Sequence, residues 1–546
     1  MLLNLRGARA LIGILGIATS VFADTTTVLA PPNDAAASPS AQPALCRPND
    51  QLACSCPPDK HYGVNDLISP CFLGDLNRAV ATQTDPFAVN VFAALNWPKT
   101  DARGVPDYAA LPNVRPPGAG PDFATVWDSW PNTRALYRPD GSEPRGWEGA
   151  EAPLPEPCRK ITLTAAQKTF DWAEVPQGGP VHLLDDYINP DGDALIDRAG
   201  VPVRYEVLFN RQAYGYVKRN GLWGPGKLAT YLAAKGKLSF PVGQWDDKVR
   251  ERGAIIVKAA WKVLDPVRDN PAHFHKAWAF ISPVIRDGKV LEGRCELQPV
   301  GLIGMHIAIK TLNFRDWLWT TFDHVAIAPT WDEVAATLAG AGNPYAPFGE
   351  ARSTNDEKTD WMFFAPQRGE CLGDCAEASL LNKGTKVIGA TLSTLPSRII
   401  RMQPRGYYFA ADANPRDCDV VRKSDGDATN FFDPDNSVEI KSYHDMDCLV
   451  SEGLKNSVMV YYQLKGAQWF KPETEKIKVP EPDVLANAAL EAFSQADSSC
   501  LSCHTQARPG KSTSALPIYD FIFAAGRPGI AVTAVPKTST NSGNGN

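Results

Sequence analysis

The run Ala254-Ile255-Ile256-Val257-Lys258-Ala259-Ala260-Trp261-Lys262-Val263-Leu264 decides the fold class. It is rich in β-branched and aromatic residues, with Lys258 and Lys262 at strand or edge positions, and it reads as a β-strand. Residues 277–285 and 296–311 repeat the same chemistry, and the strand pattern extends from about Tyr205 to Val325. A largely antiparallel sheet is expected there. Within it, Phe209-Asn210, Tyr214, Tyr216-Val217 and Asn220-Gly221-Leu222-Trp223 predict a strand followed by an aromatic helix or turn packed on it. Residues 458–469 read as a further strand. The 46 prolines in 546 residues point away from a helical bundle and toward a loop-rich fold. The expectation is an α+β protein with a β-rich, loop-rich core domain over 205–480.

Upstream of this domain the chain divides by composition. Residues 1–10 hold Arg6 and Arg9 and no acid, residues 11–18 are apolar, and Val21-Phe22-Ala23 offers small residues for cleavage before Asp24. This is the pattern of a secretory signal peptide over 1–23. No later stretch has the length of apolar sequence that spans a bilayer, so no integral membrane segment is expected after cleavage. Residues 24–45 read as a disordered leader, rich in Ala, Pro, Ser and Thr. Residues 46–204 form a Cys/Pro/Trp-rich entry region in which Trp97, Trp127, Trp130 and Trp147 are expected to pack over the core. Asn189, Asp191 and Asp193 have the look of a calcium loop, but glycine falls at Gly192 rather than at Ala194, and position twelve is Gly200 instead of an acid, so a turn is favoured.

Downstream, Leu485, Ala488, Leu490 and Phe493 recur at helical spacings and predict a helix over 483–496. It would deliver Cys500-Leu501-Ser502-Cys503-His504, a C-x-x-C-H motif in a segment running from 481 to 530, ahead of a disordered tail over 531–546. Two thiols at this spacing can add to both vinyl groups of one haem while the adjacent histidine reaches its iron, which is covalent c-type attachment. The competing reading is a redox dithiol or disulfide beside a chance histidine. One covalent haem c on Cys500 and Cys503, with His504 as iron ligand, is therefore expected. Covalent attachment implies export, and the localisation expected is the bacterial periplasm. Of the twelve cysteines the other ten form an even remainder, compatible with up to five disulfides in an oxidising compartment. Bridges among the first four cysteines and between Cys371 and Cys375 close the shortest loops.

No methionine or histidine follows His504, so the far side of the iron falls to the preceding domain, to another residue type, or stays open. His306 is the first candidate. If 302–311 is a strand, Gly304, His306 and Ala308 share a face where a flat macrocycle could approach, while Met305 points with Ile303, Ile307 and Ile309 into core. His324 is the second candidate. His273 and His275 could share a strand face and grip a metal, although two surface histidines are the simpler reading. Arg508, Lys511 and Arg527 lie near enough in sequence to pair with haem propionates.

The run Leu485-Ala486-Asn487, Glu491, Phe493 and Ser498-Ser499-Cys500-x-x-Cys503-His504, followed by Asp520-Phe521, resembles the C-terminus of large single-haem c-type cytochrome family proteins of the bacterial periplasm. Met305-His306-Ile307 with Lys310-Thr311, Trp317-x-Trp319-x-Thr321-Phe322-Asp323-His324, and Tyr462-Gln463-Leu464 with Gly466-x-Gln468-Trp469 are similar to that family's central segment, with Asp323 where Glu is expected. The resemblance, over roughly 205–523, implies export and a haem, and it carries no substrate.

Two classes of function follow. The first is electron transfer to or from a redox partner protein, as a carrier or an oxidoreductase subunit, with His306 or His324 opposite His504. The second is a haem enzyme, peroxidase-like or another oxidoreductase, in which one of those histidines works as acid/base beside an open iron site. A separate substrate site in the large domain is a weaker third. The net charge of −6 and the lack of long basic runs argue against nucleic acid as partner.

Overall fold

A computed structural model of the protein describes residues 81–107, 124–176, 179–245, 250–311, 314–338, 361–365, 381–388, 390–402, 407–408, 457–470, 480–508 and 518–526. The readings for 1–45, for the cysteines from Cys46 to Cys71 and from Cys371 to Cys448, for Lys511 and Arg527, and for the tail lie outside them.

The β-rich, mixed α+β character is present. Nine strands make one sheet: β1 (Val181–Leu184), β2 (Arg204–Phe209), β3 (Ile255–Val263), β4 (Lys276–Ile281), β5 (Glu296–Ile309), β6 (Leu318–His324), β7 (Tyr407–Tyr408), β8 (Tyr462–Phe470) and β9 (Pro480–Glu481). The 14-residue β5 is its axis. Along one edge it pairs with β3; along the other it pairs first with β4 through Glu296–Gly301 and then with β6 through Gly304–Ile309. β2 lies outside β3, and β8 outside β6. Every pairing is antiparallel except β1 with β4. An isolated bridge from Asp186 to Tyr205 brings the chain after β1 back to β2, so the pairings β2–β3–β5–β4–β1 close on themselves.

Two expectations about boundaries change. The entry region does not stop at the sheet: β1 is one of its strands, and helix α1 (Ala81–Leu95) packs on the sheet's other face. There Phe92 stacks on Phe322 with centroids 4.1 Å apart, and Trp97, Trp127 and Trp261 complete the same buried cluster. Burying each such ring contributes roughly 1.5–3 kcal/mol, which explains why the tryptophan-rich segment is core and not covering. The strand expected over 277–285 ends at Ile281, followed by a cis Ser282–Pro283 bond and a short separate strand.

Alternation along β5 follows the expected pattern with one exception. Met305, Ile307 and Ile309 join the cluster under α1, but Ile303 packs with Ala489 and Leu490 on the opposite side. A β-bulge causes this: Ala260 pairs with Gly304 and Trp261 with Leu302, so Ile303 is the extra residue and turns with Gly304 to the far face.

After β2, Asn210 caps helix α2 (Arg211–Arg219) by accepting from Ala213 N at 3.0 Å, and α3 (Pro225–Lys235) follows. The strand and aromatic helix read from this stretch are both present. A disulfide joins Cys158 to Cys295, 137 residues apart. Among the described residues no helix is long and apolar enough to cross a membrane.

The helix expected over 483–496 is absent; the segment is a series of separate turns. Asn487 diverts its start. Its Oδ1 accepts from Ala489 N at 2.8 Å, while Glu491 Oε2 takes Asn487 N at 3.1 Å, so side chains claim the amides a helix would use. The helix that exists is α4, the single turn Cys500–His504, capped by Ser499.

Candidate functional site

Alternation places Val207 of β2, Ile256 and Lys258 of β3, His306 and Ala308 of β5, and Trp319 of β6 side by side on the face away from α1. These residues floor a cavity of about 600 Å3. Its roof is the C-terminal chain: Glu491, Ser499, Cys500, Cys503, His504, Ile522 and Phe523. Residues as far apart in sequence as Val207 and Phe523 thus face one volume, and the motif and His306 are brought together there.

Buried polar groups seat the roof. Asn487 donates Nδ2 to Thr321 Oγ1 at 2.8 Å and to Phe322 O at 2.7 Å. Gly304 makes this possible, because a Cβ on it would stand 2.9 Å from that of Ala489. Gln468 of β8 holds α4: its Oε1 accepts from Leu501 N at 2.9 Å, and its Nε2 donates to Pro482 O at 2.6 Å. Neither cysteine of the motif is in a disulfide; Cys500 is buried and Cys503 exposed. Burial, helped by the Glu491 charge, pushes both thiols up, opposite to the thiolate-favouring shift of a redox dithiol.

His504 is fixed by its neighbours. Its Nδ1 lies 2.6 Å from Phe521 O, which makes Nδ1 the donor and leaves Nε2 as the bare nitrogen. The Trp319 and Phe523 rings stand 4.1 and 5.2 Å from it, and burial pulls its pKa down to about 3, so the imidazole is neutral. The carbonyl that orients it belongs to an unusual turn, since Asp520 and Phe521 have φ of 51° and 66°. Such left-handed residues cost of order 1 kcal/mol or more each and persist where surroundings impose them. Here Asp520 Oδ2 accepts from Lys310 Nζ at 2.5 Å and Phe240 N at 2.7 Å, and Asp520 O accepts from Trp317 Nε1 at 2.9 Å.

His306 is 7% exposed, and its Nε2 lies 3.2 Å from Glu491 Oε2, yet off the line of a hydrogen bond, so this buried nitrogen has no hydrogen-bond partner among the described residues. Trp319 Nε1, also in the cavity wall, has none either.

His324 does not join them. It lies outside the cavity, with Nε2 2.9 Å from His273 O and Nδ1 accepting from Ala326 N at 3.1 Å. With both nitrogens engaged and Phe274 stacked at 4.8 Å, it is a structural histidine, which corrects its reading as a second candidate iron ligand. His273 and His275 do not converge either: the first meets Asn270, the second Asp128. Among the described residues no group of three or more His, Cys, Asp or Glu is placed to hold a bare metal ion. Asn189–Asp193 is the favoured turn, with Asn189 N donating to Asp193 O at 2.8 Å. Arg508 reaches Gln506 and is not part of the cavity wall.

Sequence reasoning missed Lys258, Glu491 and Gln468 as parts of the site. Each had a trace: a lysine inside an apolar strand, a glutamate between Leu490 and Ala492, and a glutamine beside Trp469 in a strand. The register that joins them was not visible. No protein-family model, curated protein or solved structure matches the chain.

Proposed function

We propose that this chain is an exported c-type cytochrome that carries one covalent haem c and transfers electrons to or from a redox partner protein. The observation that carries the reading is the convergence, on one cavity, of the two motif thiols, a neutral His504 whose Nδ1 is already bonded to Phe521 O, and a buried His306 Nε2 without a hydrogen-bond partner. A volume of about 600 Å3 is in the range that takes a cofactor-sized ligand. Cys500 and Cys503 would anchor the group, and His504 and His306 would be the residues to hold its iron. Bound there, haem supplies a one-electron iron couple.

The chain's own residues account for the rest. Phe521 O sets the tautomer of His504; Ile256, Ala308 and Trp319 keep water from the floor; Lys258 and Glu491 place opposite charges at the wall. Phe523, 39% exposed, lies at the rim where a partner can approach. Export is supported by the pattern of residues 1–23 and by the Cys158–Cys295 disulfide.

The Glu491 carboxylate 3.2 Å from His306 Nε2 favours a second reading, in which His306 is a proton donor or acceptor beside an open site. The absorption spectrum of the purified protein in both redox states, with and without carbon monoxide, separates the two. Low-spin iron indifferent to the gas is the expected result. High-spin iron that binds it overturns electron transfer in favour of the enzyme. Absence of covalent haem that depends on both Cys500 and Cys503 overturns both.

A further inference from the structure

Helices α2 and α3 carry a charge opposite to that of the whole molecule. Residues 207–245 hold six cations, Arg211, Lys218, Arg219, Lys227, Lys235 and Lys237, and no acid, in a chain of net charge −6. The rest of the sequence therefore carries −12 against these +6. Two of the six are answered: Lys218 Nζ donates to Glu143 Oε1 at 2.5 Å, and Arg211 Nη1 lies 3.9 Å from Glu148 Oε1. Arg219, Lys227, Lys235 and Lys237 are exposed and form no ion pair among the described residues. A face that serves solubility alone mixes both signs, whereas a single-sign face repels itself and attracts an opposite one.

The face adjoins the turn behind His504. Leu238 N donates to Ile518 O at 2.8 Å and Phe240 N to Asp520 Oδ2 at 2.7 Å, so the chain leaving α3 is bonded to the segment whose Phe521 carbonyl orients His504. Lys237 acts electrostatically on Lys310 and Asp520 within that arrangement. Under the helices, Tyr216 and Leu228 belong to one buried cluster with Cys500, Leu501 and Trp319. A molecule held on α2 and α3 is thus backed by the cavity's own wall. Leu228, Tyr231 and Leu232 of α3 pack into that cluster, and Ala229, Thr230, Ala233 and Ala234 are exposed between its lysines. With no large apolar side chain presented outward, the helix has nothing to insert into lipid, and its charge suits a protein surface.

We propose that α2 and α3 form a docking face for an acidic protein surface, that of the redox partner. Opposite charges steer the partner to the helices that back the cavity, against the repulsion of the rest of the chain. The partner's role rests on the electron-transfer reading; the acidity of its surface rests on the charge pattern alone.

Isothermal titration of the purified protein with poly-L-glutamate at low ionic strength tests the face, beside a variant combining Arg219→Glu, Lys227→Glu and Lys235→Glu. A control variant, Arg159→Glu, Lys160→Glu and Lys168→Glu, changes the net charge equally at exposed positions elsewhere. Saturable binding is expected, weakened about tenfold or more by the first variant, little by the control, and lost at about 1 M salt. No saturable binding, or equal weakening by both variants, overturns the proposal. Stronger binding to vesicles of phosphatidylglycerol and phosphatidylcholine, lost in the first variant, assigns the face to a membrane and also overturns it. None of this needs haem, so failure here leaves the electron-transfer reading to its own spectrum. In the haem-loaded protein, the anionic one-electron acceptor hexacyanoferrate(III) should oxidise the first variant about tenfold more slowly than the control variant. Equal rates overturn the redox role of the face.

Discussion

His306 and His324 belong to adjacent strands, yet their surroundings assign them opposite work. In the β5–β6 register His306 faces Thr321, three residues from His324, and an odd number of steps turns a side chain to the other face of the sheet. Under the proposed haem reading, the expected outcome is that His306→Ala alters the haem spectrum, whereas His324→Ala leaves it intact and lowers stability by about 2–4 kcal/mol, read by denaturant unfolding. A spectrum indifferent to His306→Ala sinks the ligand assignment. The buried histidines also impose a pH dependence. Burial lowers His324 to about 3 and His273 to about 4. Both lie below the unfolded value of about 6.5, so the unfolded chain takes the proton first, and their contribution is full above about pH 6.5 and lost as pH falls toward those values. Burial-raised carboxyls such as Asp185 and Asp269 act in the opposite sense, so the clean measurement is a difference. Between about pH 6.5 and 4.5 the wild type should lose about 1–2 kcal/mol more stability than His273→Gln. Equal losses would remove His273 from the account.

At the scale of elements, the turn behind His504 carries two consecutive left-handed residues, Asp520 and Phe521. Lys310 and Asp520 are 3% and 8% exposed, and burial pushes the ammonium down and the carboxyl up despite their contact. Such a pair contributes little net stability, but breaking it from one side strands a charge. Lys310→Met should therefore cost about 3–5 kcal/mol, and Lys310→Met with Asp520→Asn should recover part of it. In the haem-loaded protein both variants should also shift the midpoint potential, because the Phe521 carbonyl is released from its fixed place at His504 Nδ1. An unchanged potential would mean that the turn is held by Trp317 and Phe240 alone. This level was the least legible in the sequence. The apolar spacing of Leu485, Ala488, Leu490 and Phe493 is real, and three of these residues are buried, but Asn487 and Glu491 spend their side chains on the local backbone and convert an apparent helix into turns. Periodicity reports which residues are buried; it does not see a carboxylate returning to an amide four residues back.

For the whole molecule, the sheet was readable because β3, β5 and β6 are rich in β-branched and aromatic residues despite Pro299, Gly301 and Gly304 in β5, and the face shared by Gly304, His306 and Ala308 follows from alternation alone. What could not be read was the pairing across long separations: β1 with β4, or β8 against β6. The same limit hid the disulfide. Loop length favoured local bridges, whereas Cys158 and Cys295 close a 137-residue loop at the cluster of Leu183, Trp278 and Phe280. Replacing both cysteines with alanine should lower the unfolding free energy by about 2–5 kcal/mol while leaving the haem spectrum unchanged, since neither residue lines the cavity. A spectral change would place the bridge in the site's support.

The burial of Cys500 also dictates timing. Its sulfur lies beneath a roof that closes only when Asn487 reaches β6 and Gln468 grips α4, and those strands come from chain made earlier. If Cys500 is to form a thioether, the bond must be made while the C-terminal segment is still undocked over a finished sheet. Attachment is then a step in folding, and the docking that follows locks its product in.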